Sequence, residues 1–276
     1  MIEASIQQCE LRPFLKWPGG KKWIAQDITD LISERLTGRY YEPFLGGGAV
    51  FFKLRPRHAT LSDINENLIN VYQQVINNVH LIIEKLKNIP VNSETYYKIR
   101  EEDIACPIER AVRFLYLNRT AFGGIYRLNK AGKFNVPYGG GQRTPAPLWR
   151  DDLLKSASNA LKDVEFAVSD FEKSIRMAKY GDVIYCDPTY TVSHENNGFI
   201  RYNEKNFSWK DQERLARASK RALKRGASVI VSNACHESLI ELYRPYKPLT
   251  LKRKSLVSRN PAARREVNEY LFVLDP

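Results

Sequence analysis

The chain has 276 residues, of which 43% are hydrophobic and 27% charged, as in globular proteins, which argues against a disordered chain. It has no apolar run of about 18 residues, and Met1–Glu10 lacks the basic and apolar regions of a signal peptide, so we expect a cytoplasmic protein. Its net charge is +12, and its four widely spaced cysteines form no Cys-x-x-Cys motif, so we expect neither a disulfide framework nor a metal site.

The positive charge is concentrated in two segments. Eight basic residues and no acidic one lie between Arg110 and Arg150, and the same holds between Arg244 and Arg265. Together these segments carry +16, so the rest of the chain sums to −4. Clustered cations release counterions from a polyanion, which favours a nucleic acid as partner. The alternative is a basic surface that is merely solvated.

Strand and helix patterns alternate along both ends of the chain, whereas the middle is irregular. Residues 118–147 are rich in Gly, Pro, Asn and aromatic side chains and show no periodicity, which indicates a functional segment or a linker. Interleaved strands and helices predict a mainly parallel sheet covered by helices. In chain order, the predicted elements are a strand ending at Arg39–Glu42, a turn at Gly46–Gly48, a helix from Ala49–Leu54, a strand at Thr60–Ser62, helices at Leu68–Leu86 and Glu109–Leu117, strands at Val164–Val168 and Asp182–Cys186, a basic helix at Lys210–Lys224, and strands at Ser228–Ser232 and Val267–Val273.

The first candidate motif, Tyr41–Gly48, leads from a strand through glycines into a helix. Glycines let a ligand approach the backbone, and the N-terminus of a helix offers N–H donors. Asp63 ends the next strand, where a carboxylate can accept hydrogen bonds from the ribose hydroxyls of a nucleoside-type cofactor. The alternatives are tight packing at the glycines and an Asp63 that caps the following helix.

The second motif, Asp182–Tyr190, delivers Asp-Pro-x-Tyr at the carboxyl end of a buried strand, where open α/β sheets bind ligands. Asp187 and the carbonyl of Pro188 can accept the two N–H bonds of an exocyclic amine, and Tyr190 can stack on its base. Such an arrangement suits methylation by a sulfonium donor, which needs positioning and electrostatics and no metal. The alternative is a strand that ends in an ordinary proline turn.

A third motif, Phe14–Lys21, brings an aromatic ring, a turn and a cation together near the N-terminus. Trp17 could cover an adenine and Lys21 could pair with a carboxylate. Taken alone, it also fits a core tryptophan beside a surface turn.

Together these motifs resemble the Dam-type (alpha group) DNA adenine-N6 methyltransferases. The order Phe-Leu-Lys-Trp-x-Gly-Gly-Lys, Glu-Pro-Phe-x-Gly-Gly-Gly, Asp-Ile-Asn, Asp-Pro-x-Tyr is typical of that family, as are Phe114–Arg119 and Phe134–Tyr138. The resemblance spans about residues 11–275. It implies a Rossmann-like, S-adenosylmethionine-dependent α/β core with helices on both faces, made of residues 1–67 and 151–276, and a mostly helical target-recognition domain inserted at 68–150.

The resemblance also implies an enzyme that flips adenine out of duplex DNA and methylates its N6 amine, releasing S-adenosylhomocysteine. A monomer is expected, with double-stranded DNA as its partner and, by function rather than contact, a cognate restriction endonuclease. The expected catalytic residues are Asp187, Pro188 and Tyr190. The expected cofactor-binding residues are Trp17, Lys21, Glu42, Phe44, Gly46, Gly48, Asp63 and Asp187.

The implied DNA contacts carry separate roles. Arg127 matches the position that reads a guanine through its O6 and N7 atoms, and Phe122 matches an aromatic wedge in the duplex. Ile125 and Pro137 match positions that touch bases, and Arg127 favours a short G-containing, GATC-like site. The further expected DNA contacts are Lys16, Arg119, Arg259, Arg264 and Arg265.

Three positions depart from the family pattern. Thr189 replaces the second proline of Asp-Pro-Pro-Tyr, and we predict that activity survives because that proline supplies no acceptor. Gly123 and Gly141 stand where some members carry Asn and Tyr, which leaves a looser or different target site open. Two other functions also stay open: methylation of cytosine N4 or of RNA adenine, and a decayed methyltransferase fold that only binds DNA.

Overall fold

The computed structural model describes residues 11–129, 131–141, 148–191, 207–254 and 266–276. Its helices are α1 (Ala25–Ser33), α2 (Ala49–Leu54), α3 (Glu66–Asn88), α4 (Ser93–Glu101), α5 (Pro107–Thr120), α6 (Asp151–Ala160), α7 (Phe171–Met177), α8 (Trp209–Leu223) and α9 (Glu237–Leu242). Its strands are β1 (Tyr40–Glu42), β2 (Ala59–Asp63), β3 (Glu165–Val168), β4 (Val183–Cys186), β5 (Ser228–Ala234), β6 (Leu249–Lys254) and β7 (Glu266–Leu274).

The strands form a seven-stranded sheet in the order β3-β2-β1-β4-β5-β7-β6. β1 pairs in parallel with β2 on one side and β4 on the other, and β4 pairs in parallel with β5. β7 runs antiparallel to both β5 and β6. The direction in which the chain adds strands therefore reverses between β1 and β4, and at such a switch point open α/β sheets leave a crevice at the carboxyl ends of the strands.

The predicted Rossmann-like α/β class is confirmed, but the sheet is less uniformly parallel than expected. Strand β6 and helices α1, α4, α6, α7 and α9 were not predicted. β6 lies at the sheet edge and pairs only with β7, so its residues need not be apolar on both faces, and its Leu249 is half-exposed. The irregular segment also begins later than expected, because α5 continues to Thr120 before a short 3-10 turn at Phe122–Gly124.

The chain divides into two compact units. The first contains residues 1–26, 46–55 and 65–166, and the second contains residues 27–45, 56–64 and 167–276. The predicted domain boundaries at 67/68 and 150/151 stay a prediction.

The first unit is built mainly from helices α3 to α6. The long helix α3 begins at Asn65, whose side chain accepts a hydrogen bond from Leu68 N at 3.1 Å, and it packs against α5 and α6. The buried amide of Asn118 on α5 binds both main-chain groups of Lys16, at 3.0 Å and 2.7 Å. This pair of bonds fixes the N-terminal segment that carries the Trp17 motif.

The second unit carries most of the sheet. Strands β4 and β5 are buried along their whole length, as their continuous apolar runs predicted. α8 packs against α7 and β5 and begins with a capping box between Ser208 and Asp211. Within the described residues, no helix is long and apolar enough to span a bilayer.

Candidate functional site

Three predicted carboxylates lie at the carboxyl ends of adjacent parallel strands in the second unit. Glu42 ends β1, Asp63 ends β2, and Asp187 follows directly after β4. Since β1 pairs with both β2 and β4, these strand ends form one edge of the sheet. The sheet topology therefore places the predicted acidic residues at its switch point, where a ligand crevice is expected.

Glu42 is 3% exposed, and Tyr40 donates a hydrogen bond from its hydroxyl to Glu42 Oε2 at 2.9 Å. Burial, together with the charge of Glu42, raises the pKa of Tyr40 well above its ordinary value, so the hydroxyl stays protonated. The Tyr40 hydroxyl therefore orients a buried carboxylate at the end of β1, where that carboxylate can accept hydrogen bonds from a ligand.

Asp63 is partly exposed, and its carbonyl accepts a hydrogen bond from Ser169 N at 3.1 Å. The N-cap of the following helix is Asn65, so the alternative interpretation of Asp63 as the cap of this helix is wrong. Ile64 follows with 75% of its surface exposed, a large apolar side chain next to the carboxylate.

The predicted cofactor residue Phe44 lies in an aromatic cluster. Its ring stacks on Phe171 at 5.3 Å and meets Phe207 edge-on at 5.5 Å. The guanidinium of Arg214 lies over the Phe171 ring at 4.8 Å. Neither Phe171 nor Arg214 was predicted, because α7 brings Phe171 to Phe44, and α8 brings Arg214 to Phe171, only in the folded chain. They support Phe44 as a flat apolar surface at the strand ends.

The Arg214 guanidinium is bound by three carboxylates, those of Asp170, Glu172 and Asp211, all at 2.8–2.9 Å. Partial burial alone would raise the pKa of Glu172 and Asp211, but hydrogen bonds and nearby cations lower both below their ordinary values of 4.5 and 3.8. Carboxylates with lowered pKa stabilise the folded state above their unfolded pKa, and that stabilisation is lost as pH falls through the folded pKa.

We expect Arg214→Met to lower the free energy of unfolding at neutral pH by up to about 1 kcal/mol, because these side chains are roughly a third exposed and partly screened by water. The difference from wild type should shrink as pH falls below 4.5 and then 3.8, since protonated partners no longer favour the cation. Urea unfolding at several pH values measures this. Arg217→Met, on the same helix with a looser 3.8 Å pair to Glu213, is the control. An equal, pH-independent loss in both variants would contradict the expectation.

The Asp-Pro-x-Tyr segment follows β4. Pro188 is buried, Thr189 is exposed, and Tyr190 is partly exposed. The thiol of Cys186 just before it is fully buried, and burial, with the charges of Asp187 and Glu42, raises the pKa of Cys186, so this thiol stays protonated. The exposed side chain of Thr189 fits our prediction that activity survives with threonine in place of the family's second proline.

The segment is fixed at both ends. Ser232 Oγ on β5 donates to Asp187 Oδ1 at 2.8 Å. Thr191 Oγ1 accepts from Gln212 at 3.2 Å, and Gln212 accepts in turn from Asn233 at 3.1 Å. All of these supporting residues are buried, and sequence reasoning missed them because each lies at least 21 positions from its partner.

The glycine turn and Trp17 lie together within the first unit. A Cβ on Gly46 would lie 2.7 Å from Trp17 Cδ1, and Gly46 has a φ of +48°, so both space and backbone require glycine there. The Trp17 ring stacks on Tyr126 at 5.1 Å. Tyr72 binds the Gly46 carbonyl at 3.0 Å, and Gly48, with a φ of +68°, precedes α2.

The buried Lys21 donates to the carbonyl of Gly19 at 3.1 Å. A cavity of about 300 Å³ lies beside Trp17. It is lined by Pro13, Leu15, Lys16, Trp17, Pro18, Gly20, Lys22, Gly47, Ala49, Gly123, Gly124 and Ile125. The structure thus brings two predicted DNA residues, Lys16 and Ile125, to the same cavity as Trp17.

Arg127 lies at the base of a small hairpin. Leu128 and Phe134 form an antiparallel bridge, and Asn135 N donates to the Arg127 carbonyl at 3.2 Å. Arg127 Nε and Nη2 donate to the side-chain and main-chain oxygens of Asn135 at 2.9 Å and 3.3 Å. These two bonds hold the exposed guanidinium in one orientation and use two of its five N–H donors.

Three predicted apolar DNA contacts lie close to one another within the first unit. Phe122 is 57% exposed and Ile125 is 39% exposed. Phe122 N donates to the carbonyl of the exposed Pro137 at 2.9 Å. Exposed aromatic and aliphatic side chains on a basic segment fit a surface that enters a duplex.

Arg119 differs from the other predicted DNA contacts because it is buried. Its guanidinium donates to the carbonyl of Phe14, and burial, with the neighbouring charge of Arg12, lowers the pKa of Arg119 to about 10. In this structure the guanidinium therefore supports the N-terminal segment, and a DNA contact by Arg119 stays a prediction.

Comparison with known proteins decides the family. The model of the D12 class N6 adenine-specific DNA methyltransferases matches residues 17–256. The chain belongs to this family. The predicted Dam-type relationship and the enzyme class are therefore confirmed, and the protein is an adenine-specific DNA methyltransferase.

Two curated relatives align with this methyltransferase over nearly their whole length. The type II methyltransferase M1.LlaDCHI of Lactococcus lactis subsp. cremoris is 35% identical over 272 residues, covering 95% of this chain and 94% of that protein. The DNA adenine methylase of Haemophilus influenzae is 33% identical over 270 residues, covering 95% and 93%. Among solved structures, TrmN from Thermus thermophilus aligns with a TM-score of 0.37 and 13% identity over 92% of this chain and 48% of that one.

Some predicted residues of the methyltransferase lie outside the described part of the chain. These are the phosphate-clamp candidates Arg259, Arg264 and Arg265. Gly123 and Gly141 are described, and both have positive φ values, +63° and +81°. This backbone disfavours a tyrosine at 141, whereas asparagine tolerates it well enough to fit at 123. Within the described ranges, no group of three His, Cys, Asp or Glu side chains could hold a metal ion.

Proposed function

We propose that the protein transfers a methyl group from S-adenosylmethionine to the N6 amine of a flipped-out adenine within a short G-containing, GATC-like site of duplex DNA. The observation that carries this is the Asp187–Tyr190 segment. It leaves β4 at the switch point of the sheet, with Asp187 oriented by Ser232, in a chain of the adenine-specific family.

The residues at the strand ends fit this cofactor. The carboxylates of Glu42 and Asp63 can accept hydrogen bonds from hydroxyl and amine groups of a nucleoside. Ile64 and the stacked ring of Phe44 offer apolar surface to an adenine ring. The resemblance assigns Trp17, Lys21, Gly46 and Gly48 to the cofactor as well. When bound, S-adenosylmethionine supplies a methyl group on a sulfonium, and loss of that group leaves S-adenosylhomocysteine.

The adenine amine is a poor nucleophile, because its lone pair is delocalised into the ring. Asp187 and the carbonyl of Pro188 would accept its two N–H bonds, which localises the lone pair and aims it at the methyl carbon. The nitrogen gains positive charge as it reacts, and the carboxylate of Asp187 stabilises that charge until the surplus N6 proton leaves to solvent. Tyr190 would stack on the base and exclude water from one face.

Most of the proposed DNA contacts lie in the first unit. Phe122 would wedge into the duplex while Ile125 and Pro137 touch bases, as their exposure allows. The guanidinium of Arg127, held by Asn135, would read a guanine in the major groove. Lys16 and the arginines at 259, 264 and 265 would bind DNA by charge. A cytoplasmic monomer, acting beside a restriction endonuclease of the same specificity, is part of this proposal.

The test is methylation of an unmethylated plasmid, and separately of RNA, by the purified protein with S-adenosylmethionine, followed by sequencing that maps N6-methyladenine and N4-methylcytosine at single bases. Marks confined to one G-containing motif support the proposal. Marks on many adenines in different sequences support adenine-N6 methylation and contradict the proposed recognition site. Marks on cytosine N4, or on RNA alone, favour the alternative substrates.

Cofactor binding separates a decayed fold from an enzyme with another substrate. A ligand at about 100 times its Kd adds about 2.7 kcal/mol to the free energy of unfolding, which a thermal-shift assay detects. A thermal shift without marks directs the search to another nucleic acid. If the protein shows no thermal shift and leaves no marks, the proposed enzyme is overturned and a protein that only binds DNA is favoured.

A further inference from the structure

Two buried hydroxyl groups link the neighbouring strand to the carboxylate of Asp187. β4 and β5 pair in register up to Cys186 and Val231, so the next residues, Asp187 and Ser232, lie side by side. Ser232 Oγ is 2.8 Å from Asp187 Oδ1 and 3.0 Å from the Tyr185 hydroxyl. Ser232 is completely buried and Tyr185 almost so, which shields both contacts from bulk water.

The direction of these bonds follows from the donors present. Ser232 has one hydroxyl proton, and an ionised carboxylate only accepts. The Asp187 oxygen at 2.8 Å is a better acceptor for that proton than the Cys186 carbonyl at 3.5 Å. With the proton of Ser232 directed to Asp187, Tyr185 is the donor to Ser232. The bonds therefore run from Tyr185 to Ser232 to Asp187.

We propose that Ser232, supported by Tyr185, is a positioning residue that fixes the plane of the Asp187 carboxylate for the target amine. The inference rests on the proposed function of Asp187. The last torsion of an aspartate side chain is broad, so a carboxylate without such a bond samples many orientations. Methyl transfer requires the amine and the methyl carbon to be aligned, and a misplacement of about 1 Å can cost roughly 100-fold in rate.

The same strand provides a matched control at its other end. Ser228, the first residue of β5, donates from Oγ to Asp275 Oδ1 at 3.0 Å. This is also a serine–aspartate bond on β5, but it lies at the amino end of the parallel strands, opposite the edge that carries Asp187. A purely structural role of a buried serine on β5 predicts similar effects at both ends.

The experiment compares Ser232→Ala, Tyr185→Phe, the double variant and Ser228→Ala. It measures the single-turnover rate of adenine methylation, with enzyme and S-adenosylmethionine saturating, on a duplex containing the mapped site. Titration with S-adenosylmethionine gives the concentration of folded protein that binds the cofactor. We expect Ser232→Ala to slow transfer by roughly 10- to 100-fold, Tyr185→Phe to slow it less, and Ser228→Ala to leave it unchanged. Affinities for cofactor and DNA should stay as in wild type.

The double variant tests whether Tyr185 acts through Ser232. If it does, adding Tyr185→Phe to Ser232→Ala produces no further loss, because the shared bond is already gone. The proposal is overturned if the rate losses of the two single variants multiply in the double variant, or if Ser228→Ala slows transfer as much as Ser232→Ala. A Ser232→Ala variant that transfers methyl at the wild-type rate would also overturn it. Should Ser232→Ala not fold, Tyr185→Phe decides: slower transfer with unchanged binding supports the proposal, and an unchanged rate overturns it.

Failure of the proposed function gives a different result. A wild-type protein that binds S-adenosylmethionine but methylates no adenine overturns the proposed function and, with it, this inference. A wild-type protein that methylates adenine, with Ser232→Ala equally fast, overturns the inference alone.

Discussion

Asp187→Asn is expected to slow methyl transfer to adenine by about 100- to 1000-fold, the range seen when one preorganised electrostatic contact to a transition state is removed. Asparagine keeps the shape of the side chain, but it loses the negative charge that stabilises the developing positive charge on N6. Asp187 lies at the strand-end edge of the sheet, and Ser232 holds its Oδ1 at 2.8 Å. Single-turnover methylation of the mapped duplex measures the effect, and DNA affinity should change little.

The control for this variant is Asp275→Asn. Asp275 also accepts a serine hydroxyl, at 3.0 Å from Ser228, but it lies at the opposite edge of the sheet. Its exchange removes the same charge and leaves an oxygen that still accepts from the serine, although it also weakens the ion pair of Asp275 with Arg35 at 2.8 Å. We therefore expect an unchanged rate of transfer. Full activity in Asp187→Asn, or an equal loss in both variants, would contradict a catalytic role for Asp187.

Arg127→Ala is expected to abolish the preference for one guanine in the recognition site. A bidentate arginine–guanine contact is worth roughly 1–3 kcal/mol of discrimination, or roughly 5- to 150-fold in relative kcat/KM. The hairpin and the two bonds to Asn135 hold the guanidinium in one orientation before DNA binds, so that little further ordering is needed. The measurement is the ratio of kcat/KM for the mapped site to that for duplexes with this base pair exchanged.

Lys133→Ala is the matched control, since it removes an exposed cation from the same hairpin. We expect it to weaken binding to all duplexes about equally and to reduce the salt dependence of binding, while the discrimination ratio stays as in wild type. If Arg127→Ala keeps the wild-type ratio, another residue reads the guanine. If Lys133→Ala changes the ratio as well, the effect comes from a disturbed hairpin.

Sequence reasoning was most successful where the signal is local. The apolar spacing from Leu68 to Leu86 predicted α3, and the continuous apolar runs predicted the fully buried β4 and β5. It failed at β6, whose polar residues are tolerated because an edge strand is bound on one side only. It also missed five helices, among them α4, whose residues are mostly polar and whose buried side chains are Tyr96 and Ile99.

The sequence by itself determined the family, the α/β class and the identity of the strand-end acids, because those depend on motif order and on the period of short segments. Only the tertiary structure decided which groups support them. Ser232 reaches Asp187 across 45 positions and Arg214 reaches Glu172 across 42. Such partners depend on strand register and helix packing, which bring distant segments into contact and leave no periodic pattern in the chain. The same holds for Trp17, which lies against Gly46 only after the first unit has folded.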